Sequence, residues 1–212
     1  MLYLITLCAK ERGQKRVKIA AARNVHKAFI YGIAMIDGDV EWIYSESGHI
    51  CQCKVTPKEV ERAVINCQRK PDGVYITSPD YLGSVSDISG LSSVCHKHGV
   101  PLLVDNAHGA YLAFTEPSMH PIALGAAMCA DSAHKTLPVL TGGAYLHIAK
   151  NAPGLFFDMA DQAMALFAST SPSYLILQSL DIANRYLAQG YAGKLENAAE
   201  QTRNLKKTLV EH

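Results

Sequence analysis

The feature that most constrains this chain is a series of short apolar runs, each ending in polar groups and each separated from the next by amphipathic stretches. Val74-Tyr75-Ile76-Thr77, Pro101-Leu102-Leu103-Val104, Ala126-Ala127-Met128-Cys129-Ala130 and Gly142 to Ile148 are short, and Gly, Pro or Asp punctuates them, so they are expected as strands. Arg16 to Ala21 and Val40 to Tyr44 read as two more. Helices are expected over 2–11, from His26 to Met35, from a Thr56-Pro57-Lys58-Glu59 start to about Arg69, and from Asp87 or Ser89 to Gly99. Strands alternating with helices imply an α/β fold, a mainly parallel sheet with flanking helices. Past Pro153 the pattern turns helical, with helices expected over Leu155 to Phe167, from Ser171-Pro172-Ser173-Tyr174 to about Gln189, and over Ala192 to Val210.

In a parallel sheet of this kind ligands sit beyond the carboxyl ends of the strands. Two strand ends carry the polar chemistry. One is Val104-Asp105-Asn106-Ala107-His108-Gly109 and the other is Ala130-Asp131-Ser132-Ala133-His134-Lys135. An acid and a lysine at successive strand ends are what a pyridoxal phosphate (PLP) site needs. The lysine forms an imine with the cofactor aldehyde, and a buried acid keeps the pyridine nitrogen protonated. The lysine must be partly deprotonated to do this, which burial would favour. Singly, each residue has an ordinary explanation. Asp105 would serve as a turn or cap, Lys135 as a surface cation, His108 as a loop histidine, His26 as a helix-start residue and Ser132 as a turn former. The combination, with an upstream Arg23-Asn24-Val25-His26-Lys27, shifts the balance to the cofactor.

Composition narrows the alternatives. A 212-residue chain with net charge +1 has no bulk charge with which to hold nucleic acid or an anionic membrane. The basic run from Lys10 to Lys18 reads as a solvated helix end and turn. Met1 to Ala9 is apolar but too short to span a bilayer, and it lacks the basic flank and cleavage site of a signal peptide. The six cysteines show no secreted-scaffold spacing and are expected as reduced thiols in a cytoplasmic protein. Cys51-Gln52-Cys53 is too tightly spaced to chelate zinc. Cys95-His96-Lys97-His98 reads as the last turn of a helix stopping at Gly99 rather than a metal site. His49, His96, His98, His120 and His147 are read as ordinary structural histidines.

Five segments in order carry a family resemblance: Arg23 to Lys27; Thr77-Ser78-Pro79-Asp80-Tyr81-Leu82-Gly83; Val104 to Gly109; Ser132-Ala133-His134-Lys135-Thr136-Leu137-Pro138; and Ser169-Thr170-Ser171-Pro172-Ser173-Tyr174. Together they resemble the major domain of the bacterial ornithine/lysine/arginine decarboxylases, PLP enzymes of the aspartate aminotransferase type (fold type I). The resemblance covers nearly the whole chain. It implies that Lys135 carries the cofactor, that Asp105 pairs with its pyridinium nitrogen, and that His26 stacks on its ring. It also implies that His108 supports the cofactor from the loop and that Ser132 and His134 lie near the phosphate or imine. His26 or Lys135 would return a proton to Cα. Residues 169–171 would lie near a dimer interface. Asn106 stands where the family usually has Glu, and Val25 where Cys is common.

Set against the family, residues 1–190 are expected to form the major domain without the Gly/Ser/Thr-rich phosphate turn that precedes the first helix. Residues 191–212 are expected as a helix leading towards an absent small domain. The implied function is decarboxylation of arginine, lysine or ornithine, weakened or lost in this truncated form. The implied setting is a cytoplasmic homodimer or higher homo-oligomer acting on a small-molecule amino acid, with no nucleic acid, membrane or metal involved. Two other readings stay open: another fold-type I PLP reaction, such as that of an aminotransferase, or a catalytically silent fragment that acts through protein contacts.

Overall fold

A computed structural model describes residues 1–46 and 53–210. Cys51 and His49 lie outside the described residues. Six strands form one sheet in the order β2-β1-β3-β4-β5-β6. These are β1 (Lys18–Ala22), β2 (Asp39–Ile43), β3 (Gly73–Thr77), β4 (Leu102–Asp105), β5 (Met128–Asp131) and β6 (Tyr145–Ile148). The first five are mutually parallel, and β6 runs antiparallel to β5. The expected α/β architecture is therefore present.

The strands are nearly all apolar because both faces of the sheet are covered. Ala20, Ala22, Val74, Ile76, Leu102, Val104 and Cys129 turn to one face. There they pack with residues of α3 (Pro57–Asn66) and α4 (Ile88–Lys97). Ile19, Ala21, Tyr75, Leu103 and Met128 turn to the other face. There they meet α1 (Leu2–Glu11), α2 (Lys27–Met35), α6 (Gly154–Asp158) and α7 (Ala160–Phe167). This period-two alternation decides on which side of the sheet each polar strand-end group emerges.

Local chemistry accounts for the boundaries. Thr56 and Glu59 complete a reciprocal capping box, with Pro57 opening α3, an arrangement worth about 1 kcal/mol. Glu59 also accepts from the Glu46 backbone N–H at 2.8 Å, tying the helix start to the end of β2. Asp87, not Ser89, caps α4 by accepting from Gly90 N. Gly99 follows that helix at φ +59°, a conformation suited to glycine, and Lys97 and His98 both reach Glu61. The Cys95-to-His98 segment is thus a helix end, as expected.

Three expectations are corrected. Residues 155–167 form two helices, α6 and α7, because Met159 leaves helical geometry at φ −109°, ψ 2°. Two short elements escaped the sequence pattern, a 3-10 helix over Ala110–Phe114 and the single turn α5 (Ala133–Thr136). Both are too brief to display a periodicity. The basic run is paired rather than simply solvated. Arg12 meets the buried Asp72 at 2.8 Å, Arg16 meets Asp37 and Asp39, and Lys18 meets Glu41. The long C-terminal pair, α8 (Tyr174–Leu187) and α9 (Tyr191–Val210), closes over the 3-10 helix through a Phe114–Tyr191 edge contact at 5.1 Å.

Candidate active site

A cavity of about 630 Å³ opens where β1, β3, β4 and β5 end. It gathers His26, Asp105, His108, Ser132 and Lys135 along its wall, together with Asn24, Thr77 and Tyr81. Five of the six expected site residues therefore converge. The sixth, His134, is not among the wall residues. It lies on the turn between Ser132 and Lys135, and its Nδ1 contacts the Gly143 carbonyl at 2.9 Å, so its ring anchors the following loop.

Each residue arrives by a definable route. Asp105 is the last residue of β4, on the Tyr75 face of the sheet. Its carboxylate accepts from the Tyr75 hydroxyl at 3.1 Å and from Ala107 N at 3.3 Å. Burial, then the adjacent Asp105 charge, pushes the Tyr75 hydroxyl well above its ordinary pKa. The loop that follows can turn back tightly because residue 109 is glycine, since a Cβ there would stand 2.6 Å from Pro79 Cδ. That turn presents His108, whose Nε2 lies 3.3 Å from Lys135 Nζ. The Tyr81 ring meets the His108 ring edge-on at 5.1 Å.

His26 is the N-cap of α2, and its Nδ1 accepts from Ala28 N at 3.1 Å, which leaves the proton of the neutral ring on Nε2. Lys135 sits on the one turn of helix after β5. It is exposed, not buried as the imine argument presumed, because that turn stands at the open mouth of the cavity.

The wall is chemically incomplete by itself. Asn24 Oδ1, Thr77 Oγ1 and His108 Nδ1 belong to cavity residues, are buried, and have no hydrogen-bond partner. Buried polar atoms are normally paired, so three orphans around one cavity mark a place where a polar ligand would complete the structure. A cationic amine, a carboxylate at a strand end and imidazoles, in a space of this size, fit an aromatic aldehyde phosphate such as PLP.

A second polar cluster was missed by the sequence. Asp131, at the end of β5, accepts from Asn106 Nδ2 at 2.7 Å and is approached by His120 Nε2 at 3.1 Å and His147 Nε2 at 3.2 Å. Burial would raise its carboxyl, but the hydrogen bonds from His120, His147 and Asn106 outweigh that and hold it well below the usual carboxylate range. Asn106 thereby ties the loop after Asp105 to β5. The three side chains come from separate segments, so spacing along the chain carried no signal. The strand register, which places His147 opposite Cys129, would have been needed.

The sheet order gives the chain the fold of one class of proteins, the PLP-dependent enzymes of fold type I. Two of the solved structures that share the fold illustrate it. Mouse CSAD superposes with TM-score 0.67 at 20% identity, over 99% of this chain and 49% of its own. Escherichia coli constitutive lysine decarboxylase gives TM-score 0.69 at 21% identity, over 91% and 29%. Residues 5–211 match the major domain of the Orn/Lys/Arg decarboxylases, and the chain belongs to that family, whose members are PLP-dependent. Among curated relatives, the uncharacterized protein YaaO of Bacillus subtilis is 31% identical over 90% of this chain and 40% of its own length. An arginine decarboxylase of Halalkalibacterium halodurans is 31% identical over 81% of this chain and 35% of its own. The chain thus spans about two fifths of the length of these relatives.

Proposed function

We propose that this chain is the cofactor-bearing part of a PLP-dependent decarboxylase acting on a basic amino acid, with arginine the first substrate to assay. The observation that carries the proposal is the convergence of Lys135, Asp105, His108 and His26 on one cavity with three unpartnered polar atoms. Family membership and relatives named arginine decarboxylase support it.

In this reading Lys135 is the covalent attachment point, Asp105 faces the ring nitrogen, and His26 covers one ring face. Bound PLP would supply the electron sink that lets a carboxylate leave as CO2. Asp105 maintains a negative charge beside the ring nitrogen, and its bond to Tyr75 fixes the direction of the carboxylate. His108, wedged between Tyr81 and Lys135, sets the position of the amine. His26, with its ring proton on Nε2, can donate a hydrogen bond at the cavity mouth. The family setting supports a cytoplasmic homo-oligomer. Exposed apolar side chains such as Tyr31, Met35 and Phe167 suit such a contact surface.

The test is a PLP titration of the whole chain followed by visible absorption, then borohydride reduction and peptide mass spectrometry. The expected result is an imine band in the native chain, its absence in Lys135→Ala, and a reduced adduct on Lys135. An adduct confined to other lysines, or no band in a chain shown to be folded, overturns the proposal. Product analysis separates a decarboxylase, which yields CO2 and an amine, from an aminotransferase, which yields a keto acid.

A further inference from the structure

We propose that His120, Asp131 and His147 form a binding site for a divalent transition-metal ion, zinc by ligand chemistry, with Cys129 in reach behind them. The inference does not rest on the PLP reading, because the cluster lies on the opposite face of the sheet and uses none of the residues around Lys135.

The topology produces the cluster directly. Cys129 and Asp131, two residues apart on β5, point to one face, and His147 lies directly opposite Cys129 in the antiparallel register, so it shares that face. The segment before β5 brings in His120, whose ring meets that of His147 edge-on with centroids 5.0 Å apart. Two imidazoles, a carboxylate and a thiol are the donor types zinc selects.

Several donor-to-donor spacings are already close to those of a coordination shell. Zinc bonds of about 2.0–2.1 Å to nitrogen and oxygen and about 2.3 Å to sulfur place tetrahedral donors roughly 3.3–3.6 Å apart. Here both imidazole nitrogens lie 3.1 and 3.2 Å from the same Asp131 oxygen. Cys129 Sγ stands 3.7 Å from His120 Nε2 and 3.8 Å from the other Asp131 oxygen. The donors of His120, Cys129 and Asp131 all lie within 4.8 Å of one another, so an ion can enter among them with small shifts, and His147 joins by turning its ring from the Asp131 oxygen it already meets.

Burial and access are both provided. His120, Cys129 and Asp131 are buried. His120, Asp131 and His147 also border a cavity of about 470 Å³, which Phe114, Tyr145 and Leu187 line as well. A fourth coordination position can therefore face the cavity. Asn106 Nδ2, at 2.7 Å from Asp131, is the outer hydrogen bond that orients a ligating carboxylate.

Binding requires both histidines neutral with the ring proton on Nδ1. Without metal the two Nε2–H groups donate to Asp131. At His120 the change gives up only a long 3.4 Å contact from Ile122 N. Because protonated histidine cannot ligate, affinity should fall as the solution is acidified.

The experiment uses the whole chain, stripped with a chelator, and titrates zinc chloride by calorimetry and cobalt(II) chloride by visible absorption. One equivalent is expected to bind, with the intense cobalt bands of a four-coordinate site, and zinc should raise the thermal unfolding midpoint. His120→Ala should abolish all three responses. His147→Gln, at a half-exposed position where folding is not at risk, should weaken binding at least tenfold with an unchanged circular dichroism spectrum. Cys129→Ser should remove any sulfur-to-cobalt charge-transfer band. Absence of saturable binding overturns the proposal. So does binding that survives intact in both histidine variants, which would place the ion at another thiol or histidine.

Discussion

The cavity around Lys135 and the cavity around Asp131 share a strand end, Asp131 and Ser132 being neighbours, yet they are built in opposite ways. The first is walled by groups on strand ends, loops and helix starts. Its lysine and His26 are exposed, and Asn24, Thr77 and His108 each leave a buried polar atom unpartnered. The second is centred on a strand residue whose carboxylate already has three side-chain partners, and of those three only Asn106 keeps a buried atom, Oδ1, without one. An unfinished set of polar groups needs a ligand to complete it, and its members can be replaced cheaply. A more nearly satisfied set supports the fold, so its buried members cannot, and any ion that enters must compete with hydrogen bonds already made.

The largest expected effect tests the first half of that contrast. On the proposed function, Lys135→Ala should cut decarboxylation by about a thousandfold or more, since loss of a covalent catalytic group is seldom compensated. Urea unfolding should change by less than about 0.5 kcal/mol, as for an exposed residue. Carbon dioxide release and a denaturation curve on the same preparation check both. A large stability loss would mean that the Lys135 cavity also holds the fold together.

The second half is tested by Asp131→Ala, which should cost about 3 kcal/mol in urea unfolding, because it leaves Asn106 and His120 buried without their acceptor. A cost below about 1 kcal/mol would break the comparison. The pH dependence has a definite sign. The Asp131 carboxyl is held below its unfolded value, so its contribution is complete above about pH 4 and drains as pH falls through the lower folded value. The alanine variant should lack that acid limb.

The two cavities also differ in how far the sequence revealed them. Lys135 and Asp105 follow apolar runs closely, so a strand prediction and the rule about carboxyl ends were enough to bring them together, while the family resemblance added His108 and Ser132. The capping box at Thr56 and Glu59 and the stop at Gly99 were legible for the same reason, being local signals. His120 and His147 carried no such signal. Their meeting with Asp131 depends on β6 turning antiparallel beside β5, a tertiary pairing that the strand pattern does not specify. His134 has the opposite history. A position beside Lys135 in sequence suggested the cavity, but on a single helical turn adjacent residues point apart, and its ring turned to Gly143. The Met159 break failed for want of any Gly or Pro to mark it.

The finest test lies where the hydrophobic core meets the Lys135 cavity. Tyr75 is buried from β3, with its ring against Phe29 at 4.5 Å and its hydroxyl donating to Asp105 at 3.1 Å. Tyr75→Phe keeps the ring and removes one donor from a half-buried carboxylate that water can still reach. It should therefore cost only about 1 kcal/mol. Burial and the Asp105 charge raise the hydroxyl above its unfolded value, so the neutral tyrosine's contribution is fully present below about pH 10 and is lost as pH rises further. The native chain should accordingly weaken in alkali more steeply than Tyr75→Phe, a difference that paired denaturation curves at neutral and alkaline pH would measure. A loss of about 3 kcal/mol at neutral pH would show Asp105 to be as tightly bound into the fold as Asp131. The distinction between an open set of groups and a closed one would then fail.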